Sequence, residues 1–220
     1  MKTAIYIDGY NLYYGAIRGT PYKWLDVPAL FKNIAKRQNQ ESDCICFKYF
    51  SAPAKGKFSK HGSDSTNAQH AYHRALKALY PKELEIILGK HQERKVEKIL
   101  MSDPIDITNM VEVLNIEEKQ TDVNIALEMY RDACRQNFTQ QILVTGDSDL
   151  QPALKKIKQD YPDIILGVIL PVRGVRSGMA AGLLSLADWN ENHLRKDELA
   201  EHQLPKKIEI GKHINKPQRW

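Results

Sequence analysis

Residues 141–152 read Gln-Ile-Leu-Val-Thr-Gly-Asp-Ser-Asp-Leu-Gln-Pro, and the order of residue types in that stretch decides the fold class. Gln141 to Thr145 is apolar through its middle, without polar alternation, as in a strand covered on both faces. Gly146-Asp147-Ser148-Asp149 is turn chemistry. Pro152 is acceptable only in the first turn of a helix, here one over 150–159. A buried strand that runs through a short turn into a helix is the building block of α/β proteins. The N-terminus has the same form: Thr3-Ala-Ile-Tyr-Ile-Asp8 is a buried strand ending at a carboxylate. A short helical stretch follows to about Arg18, where Pro21 and Tyr22 break it.

The pattern extends outward from these two units. Residues 44–50, 84–88 and 164–170 read as further strands, the last ended by Pro171. A helix over 28–37 buries Leu30, Ile34 and Ala35, with Pro28 suited to its first turn. Ala68, Ala71, Tyr72, Ala75, Leu76 and Leu79 form a helical stripe over 65–80. Val123, Ala126, Leu127, Tyr130 and Cys134 mark an amphipathic helix over 122–136, with Thr121 or Asp122 near its N-cap. Arg173 to Gly178 is a glycine-containing loop, and a short helix runs on to about Leu184. Strands that alternate with helices predict a three-layer α/β/α sandwich around a mostly parallel sheet. Residues 90–120 depart from the pattern. They are charged, with alternating patches such as Val111-Glu112-Val113, and a hairpin or edge excursion is expected there. The expected organisation is one domain over 1–190, with an insertion at about 90–118, and a C-terminal extension over 191–220.

Composition narrows the function. The chain has 220 residues, 42% hydrophobic and 27% charged, which is enough for one domain with a real core. No run approaches the ~18 apolar residues of a membrane span, and Asp8 and Asn11 interrupt the apolar start that a signal peptide needs. Three cysteines, an odd number, suit a reducing compartment and a cytoplasmic location. The net charge is +5, but Lys206, Lys207, Lys212, Lys216 and Arg219 against Glu209 place +4 of it in a tail over 205–220. The body is nearly neutral, so net charge alone says little about its partner.

The chemistry concentrates at strand ends, where functional groups of open α/β sheets collect. Asp8 ends the first strand, Asp147 and Asp149 follow another, Asp122 opens a helix, and Asn11 lies one turn after Asp8. Each aspartate taken singly also reads as a helix cap or turn residue. Their convergence on one predicted edge is what caps do not require. Clustered carboxylates repel one another, and a divalent cation relieves that cost. Mg²⁺ and Mn²⁺ prefer such hard oxygen ligands, and with them a phosphodiester can be held for in-line attack by water.

Three segments together, Tyr6-Ile-Asp8-Gly-Tyr-Asn11, Lys119-Gln-Thr-Asp122-Val and Val144-Thr-Gly-Asp147-Ser-Asp149-Leu, resemble the NYN domain family, a branch of the PIN-like nucleases. The resemblance spans roughly residues 1–190 with order and spacing intact. It implies an α/β/α sandwich and metal-dependent RNA cleavage. By the same resemblance, Asp8, Asp122, Asp147 and Asp149 match metal ligands and catalytic carboxylates. Asn11 matches an asparagine that orders the site, and Lys119 a lysine that often precedes the helix aspartate. The stretch at 90–118 and the tail after about 204 have no counterpart in it.

Candidate substrate contacts are cationic. Arg173 and Arg176 follow a strand end on the carboxylate edge, and arginine matches phosphate oxygens bidentately. Lys55, Lys57 and Lys60 sit in a loop from Ala54 to Ser63 without an acidic residue, placed to track a nucleic-acid backbone. His70, His73 and Lys77 share a helix face that reads by default as exposed surface. Tyr10, Tyr13 and Tyr14 are candidates for base stacking, with core packing the competing role. Cys44 and Cys46, two apart in a strand, point to one face as core cysteines, and Cys134 falls on a helix's apolar stripe. No P-loop or dinucleotide fingerprint occurs.

The expected function is therefore a Mg²⁺- or Mn²⁺-dependent ribonuclease, with RNA as partner, DNA left open and no membrane. A nucleic-acid-binding module without turnover and a Toprim-like phosphoryl-transfer domain are the alternatives. A second copy of the chain or another protein remains open as a partner for the C-terminal extension.

Overall fold

The computed structural model describes residues 1–59, 62–174, 180–210 and 213–218. The chain begins with β1 (Lys2–Asp8), α1 (Gly9–Leu12) continued by a π-helical turn at Tyr13–Ile17, α2 (Val27–Gln38) and β2 (Asp43–Ser51). Next come α3 (Ser63–Leu79), β3 (Leu84–Leu88), β4 (Lys90–Ile99), β5 (Met110–Lys119) and α4 (Thr121–Cys134). The last part holds β6 (Gln140–Val144), α5 (Gln151–Asp160), β7 (Ile165–Ile169), α6 (Ala181–Leu184), β8 (Trp189–Glu191), α7 (Lys196–Glu201) and the short strands β9 (Lys207–Ile208) and β10 (Ile214–Asn215).

Six strands form one sheet in the order β3-β2-β1-β6-β7-β8, and every neighbouring pair is parallel. Both faces are covered, which is why the central strands carry apolar residues at successive positions. Ile5, Ile7, Ile142 and Val144 enter one core with α2 and α3. Ala4, Tyr6, Leu143 and Val168 enter the other with α4 and α5. The fold is thus the α/β/α sandwich that the strand pattern predicts. The chain winds outward from β1 to β3, then returns to place β6 on β1's other side. That reversal makes the carboxyl ends of β1 and β6 a topological switch point, where open α/β sheets form their crevices.

A buried ionic group ties α4 to this frame. Lys48 of β2, 5% exposed, donates to Glu128 at 2.7 Å and pairs with Asp132, which also accepts the Tyr6 hydroxyl at 2.7 Å.

Three features depart from what the sequence pattern leads one to expect. Cys44 and Cys46 do not share a face. β1 pairs Thr3 with Cys44 but Ala4 with Cys46, so Ile45 is bulged out and 41% exposed. One extra residue reverses the alternation, and the two thiols enter opposite cores. Cys134 is exposed at the end of α4 and accepts the Tyr161 hydroxyl. Residues after 190 are built into the domain. Leu194, Leu199, Leu204 and Ile208 are all at most 3% exposed. Trp24 Nε1 donates to the Pro205 carbonyl at 2.9 Å, and the Leu204 amide to the Trp24 carbonyl at 2.8 Å.

Residues 90–119 form the expected hairpin, β4 against β5, paired from Lys90–Lys119 to Ile99–Met110. Its base meets the sheet edge. Gly89 makes this possible, because a Cβ there would lie 2.5 Å from the Lys119 carbonyl oxygen. Among the described residues no helix is long and apolar enough to cross a membrane.

Candidate active site

Asp8 sits at the carboxyl end of β1 and is 2% exposed. It caps α1: its Oδ1 accepts the Asn11 amide at 2.9 Å, and its Oδ2 accepts the Asn11 side-chain amide at 2.7 Å. The Thr145 hydroxyl, at the end of β6, donates to the same Oδ2 at 2.9 Å. Asn11 Oδ1 in turn accepts the Gly146 amide at 3.2 Å. Asn11 therefore joins the ends of the two switch-point strands. The chain can turn so tightly after Asp8 because residue 9 is glycine. A Cβ there would lie 2.6 Å from the Phe50 carbonyl oxygen.

Asp147 caps the 3-10 turn Ser148–Leu150 by accepting the Asp149 amide at 2.9 Å. Asp122 is not the cap of α4. That position is Gln120, whose left-handed backbone (φ 84°) swings the end of β5 into the helix and leaves Asp122 in the first turn. Three separate elements thus contribute carboxylates to one edge, and the field records their proximity. Burial first, then Asp8, Asp147, Glu118 and Asp149, push the Asp122 carboxyl from 3.8 up to about 6. Burial and Asp147 raise Asp8, while the Asn11 and Thr145 donors restrain the rise.

The donor set is hard oxygen throughout, which suits Mg²⁺ or Mn²⁺. Among the described residues no three Asp, Glu, His or Cys groups lie close enough to grip one ion together. Mg²⁺ is commonly held by one or two carboxylates, with water and substrate phosphate completing its shell. The residues fit that mode. Among the described residues the Asp122, Asp147 and Asp149 carboxylates accept no hydrogen bond apart from that of the Asp149 amide on Asp147, while Asp8 is largely committed to Asn11 and Thr145.

The cationic candidates fare differently. Lys55 and Lys57 both pair with Glu93 of β4, at 2.7 and 2.6 Å, so the loop's charge is answered from the hairpin. Lys119 pairs with Glu117 at 2.6 Å. Arg173 reaches the Arg18 carbonyl at 3.5 Å and lines a separate cleft of about 620 Å³ with His193 and Arg195. Lys60 and Arg176 lie outside the described residues. His73 is not on an open face: it packs edge-on to Tyr49 at 5.8 Å, and burial pulls its pKa down to about 4.

Two participants escape a reading of the sequence. Thr145 precedes the Gly-Asp-Ser-Asp turn and looks like strand filler, yet its hydroxyl is spent on Asp8. Glu118, one among many charges of the hairpin, is brought against Asp122 and accepts the Thr121 hydroxyl. Along the turn that follows Asp8 opens a cleft of about 1230 Å³ whose wall includes Gly9, Tyr10, Tyr14, Tyr49, Phe58 and His91.

The NYN domain profile matches residues 2–171. The chain is 35% identical over 240 residues to 6-hydroxy-3-succinoylpyridine 3-monooxygenase HspA of Pseudomonas putida, covering all of this chain and 75% of that protein. A crystal structure of a protein of unknown function, VPA0982 from Vibrio parahaemolyticus RIMD 2210633, is similar at a TM-score of 0.54 and 21% identity. That match covers 89% of this chain and 94% of the other and speaks to fold alone.

Proposed function

The chain belongs to the NYN domain family, and on that premise we propose that it is a Mg²⁺- or Mn²⁺-dependent ribonuclease hydrolysing phosphodiester bonds. The fold is nuclease-like, and one observation carries the finer reading. Burial first, and then Asp8 and Asp147 from two strand ends, with Glu118 and Asp149, raise the carboxyl of Asp122 on its helix to about 6. Assembling anions at a switch point costs stability, and a cation-assisted reaction on a phosphate gives that cost a use.

One or two of Asp122, Asp147 and Asp149 would hold the metal, with water and the substrate phosphate completing its shell and with Asp8 and Asn11 fixing the floor beneath. When bound, Mg²⁺ or Mn²⁺ supplies charge neutralisation at the phosphate and acidifies water. The chain's own part is positional and acid–base. Thr145 and Asn11 lock the Asp8 carboxylate in orientation. In the metal-free chain Asp122, raised to about 6 by burial and then by its acidic neighbours, is ionised at neutral pH, and it would accept the proton of an attacking water if Asp147 and Asp149 hold the ion.

The test is a cleavage assay on RNA and DNA with Mg²⁺, Mn²⁺ or chelator, alongside Asp147→Asn. Cleavage should require metal and fall at least ~100-fold in the variant, by analogy with the loss of a single electrostatic catalytic group. Unchanged cleavage by Asp147→Asn sinks the assignment.

A second reading is favoured by the Pseudomonas putida relative, named as a monooxygenase of a hydroxylated pyridine and similar over this whole chain. It has the chain hydroxylate a small heteroaromatic ring, with O₂ as oxidant and a nicotinamide as the source of two electrons. O₂- and NADH-dependent turnover of 6-hydroxy-3-succinoylpyridine by the same preparation, surviving Asp147→Asn, would select it.

A further inference from the structure

We propose that the aromatic cleft along the turn after Asp8 binds unpaired bases of a single-stranded nucleic acid, one of them stacked on Tyr14. This deepens the nuclease reading by naming the form of substrate, and it rests on that reading for the phosphate beyond the base.

Size speaks for a polymer. At about 1230 Å³ the cleft exceeds the ~300–1,000 Å³ usual for one small ligand. Position is compatible with a nucleic acid: Gly9 and Tyr10 of the wall directly follow Asp8, the carboxylate at the end of β1.

The lining speaks for bases. Tyr14 is 57% exposed, and its ring leans on Tyr10 at 6.0 Å with 30° between planes. Tyr13 meets it edge-on at 5.2 Å, and Arg18 lies 5.4 Å over its ring. Phe58 is 38% exposed on the same lining. With Arg18 already lying over it as a cation, the half-exposed ring can take a base against its exposed surface, since each base offers a π-face of its own.

The platform is also held in place. The Tyr10 hydroxyl bonds His91 Nε2 at 2.7 Å. The other ring nitrogen, His91 Nδ1, is buried and has no partner among the described residues. A buried polar atom without a partner is uncommon, and here it belongs to a residue that lines the cleft.

Charge sets the character of binding. Among the described residues the cleft's Lys and Arg side chains are Arg18, Lys23 and Lys55, and Lys55 is already paired with Glu93. With two phosphates neutralised, the logarithm of affinity should fall with that of salt at a slope of roughly −1.4, shallow for a nucleic-acid protein. Stacking, which a duplex cannot offer, supplies the remainder.

The experiment uses the full chain carrying Asp147→Asn, so that binding is read without turnover. A labelled single-stranded oligonucleotide, an abasic strand of equal length and a duplex are titrated by fluorescence anisotropy. Adding Tyr14→Ala should weaken single-strand binding about 5- to 100-fold, and Tyr14→Phe should restore it. The abasic strand should bind weakly and ignore residue 14. Unchanged affinity in Tyr14→Ala, equal affinity for the abasic strand or the duplex, or displacement by a free nucleobase at strand-like concentration would each overturn the proposal. Failure of the two readings is separable. Metal-dependent cleavage indifferent to Tyr14 refutes the cleft alone, whereas Tyr14-dependent binding without cleavage under any metal refutes the nuclease alone.

Discussion

Replacing Asp122 with asparagine should make the protein more stable, because burial first, and then its acidic neighbours, disfavour the native carboxylate. Its carboxyl titrates at about 6 instead of 3.8. A displacement of roughly two pH units corresponds to about 3 kcal/mol. The side chain is only about half buried, so solvent screening reduces this to about 1–2 kcal/mol. The sign follows from proton binding. Between pH about 4 and 6 the folded state holds the Asp122 proton more tightly than the unfolded chain does, so stability falls as pH rises through that window. The penalty is complete above it. Asp122→Asn should therefore raise the melting temperature at pH 7.5 by about 2–8 °C for a chain of this size, and the gain should vanish near pH 3.5. The assay is thermal unfolding across pH, with the exposed Asp163→Asn as control. Added Mg²⁺ should stabilise the wild type more than the variant, since binding to the folded state shifts unfolding by mass action. Equal melting temperatures at pH 7.5, or a gain that persists at pH 3.5, would refute the shared field of the carboxylates.

Two further outcomes test neighbouring parts of the structure. Thr145→Val keeps the shape but removes the hydroxyl donor to Asp8, so the Asp8 pKa should climb and the acid limb of the cleavage profile move up by about one pH unit; an unmoved limb would separate Asp8 from the reaction. Lys48→Met leaves Asp132 and Glu128 without their buried cation and should cost about 3–5 kcal/mol in urea unfolding, and a loss under about 1 kcal/mol would mean that those carboxylates neutralise or reach water unaided.

The signals legible along the chain are local in character. Uninterrupted apolar runs ending in Asp8 and in Thr145-Gly-Asp147 signal strands buried on both faces with acids at their carboxyl ends. A period of two or 3.6 residues carries that information within one segment. The parallel sandwich and the candidate acids Asp8, Asp122, Asp147 and Asp149 follow from such signals. The hairpin was legible too, from the alternation around Val111 and Val113.

The tertiary structure decided everything that depends on which segment lies beside which. Lys55 and Lys57 look like free cations until β4 brings Glu93 to both, 36 and 38 residues away in sequence. Cys44 and Cys46 look alike until pairing with β1 bulges Ile45 between them. The last thirty residues look like an appendage because their apolar positions are sparse, yet Trp24 and its neighbours supply the other half of that contact. The same is true of the site. Its acids come from segments more than a hundred residues apart, and only the return of β6 to the side of β1 makes Thr145 a partner of Asp8 and the separate carboxylates one repelling group. Periodicity is a property of one element, whereas charge pairing, register and the walls of a cleft are properties of two or more.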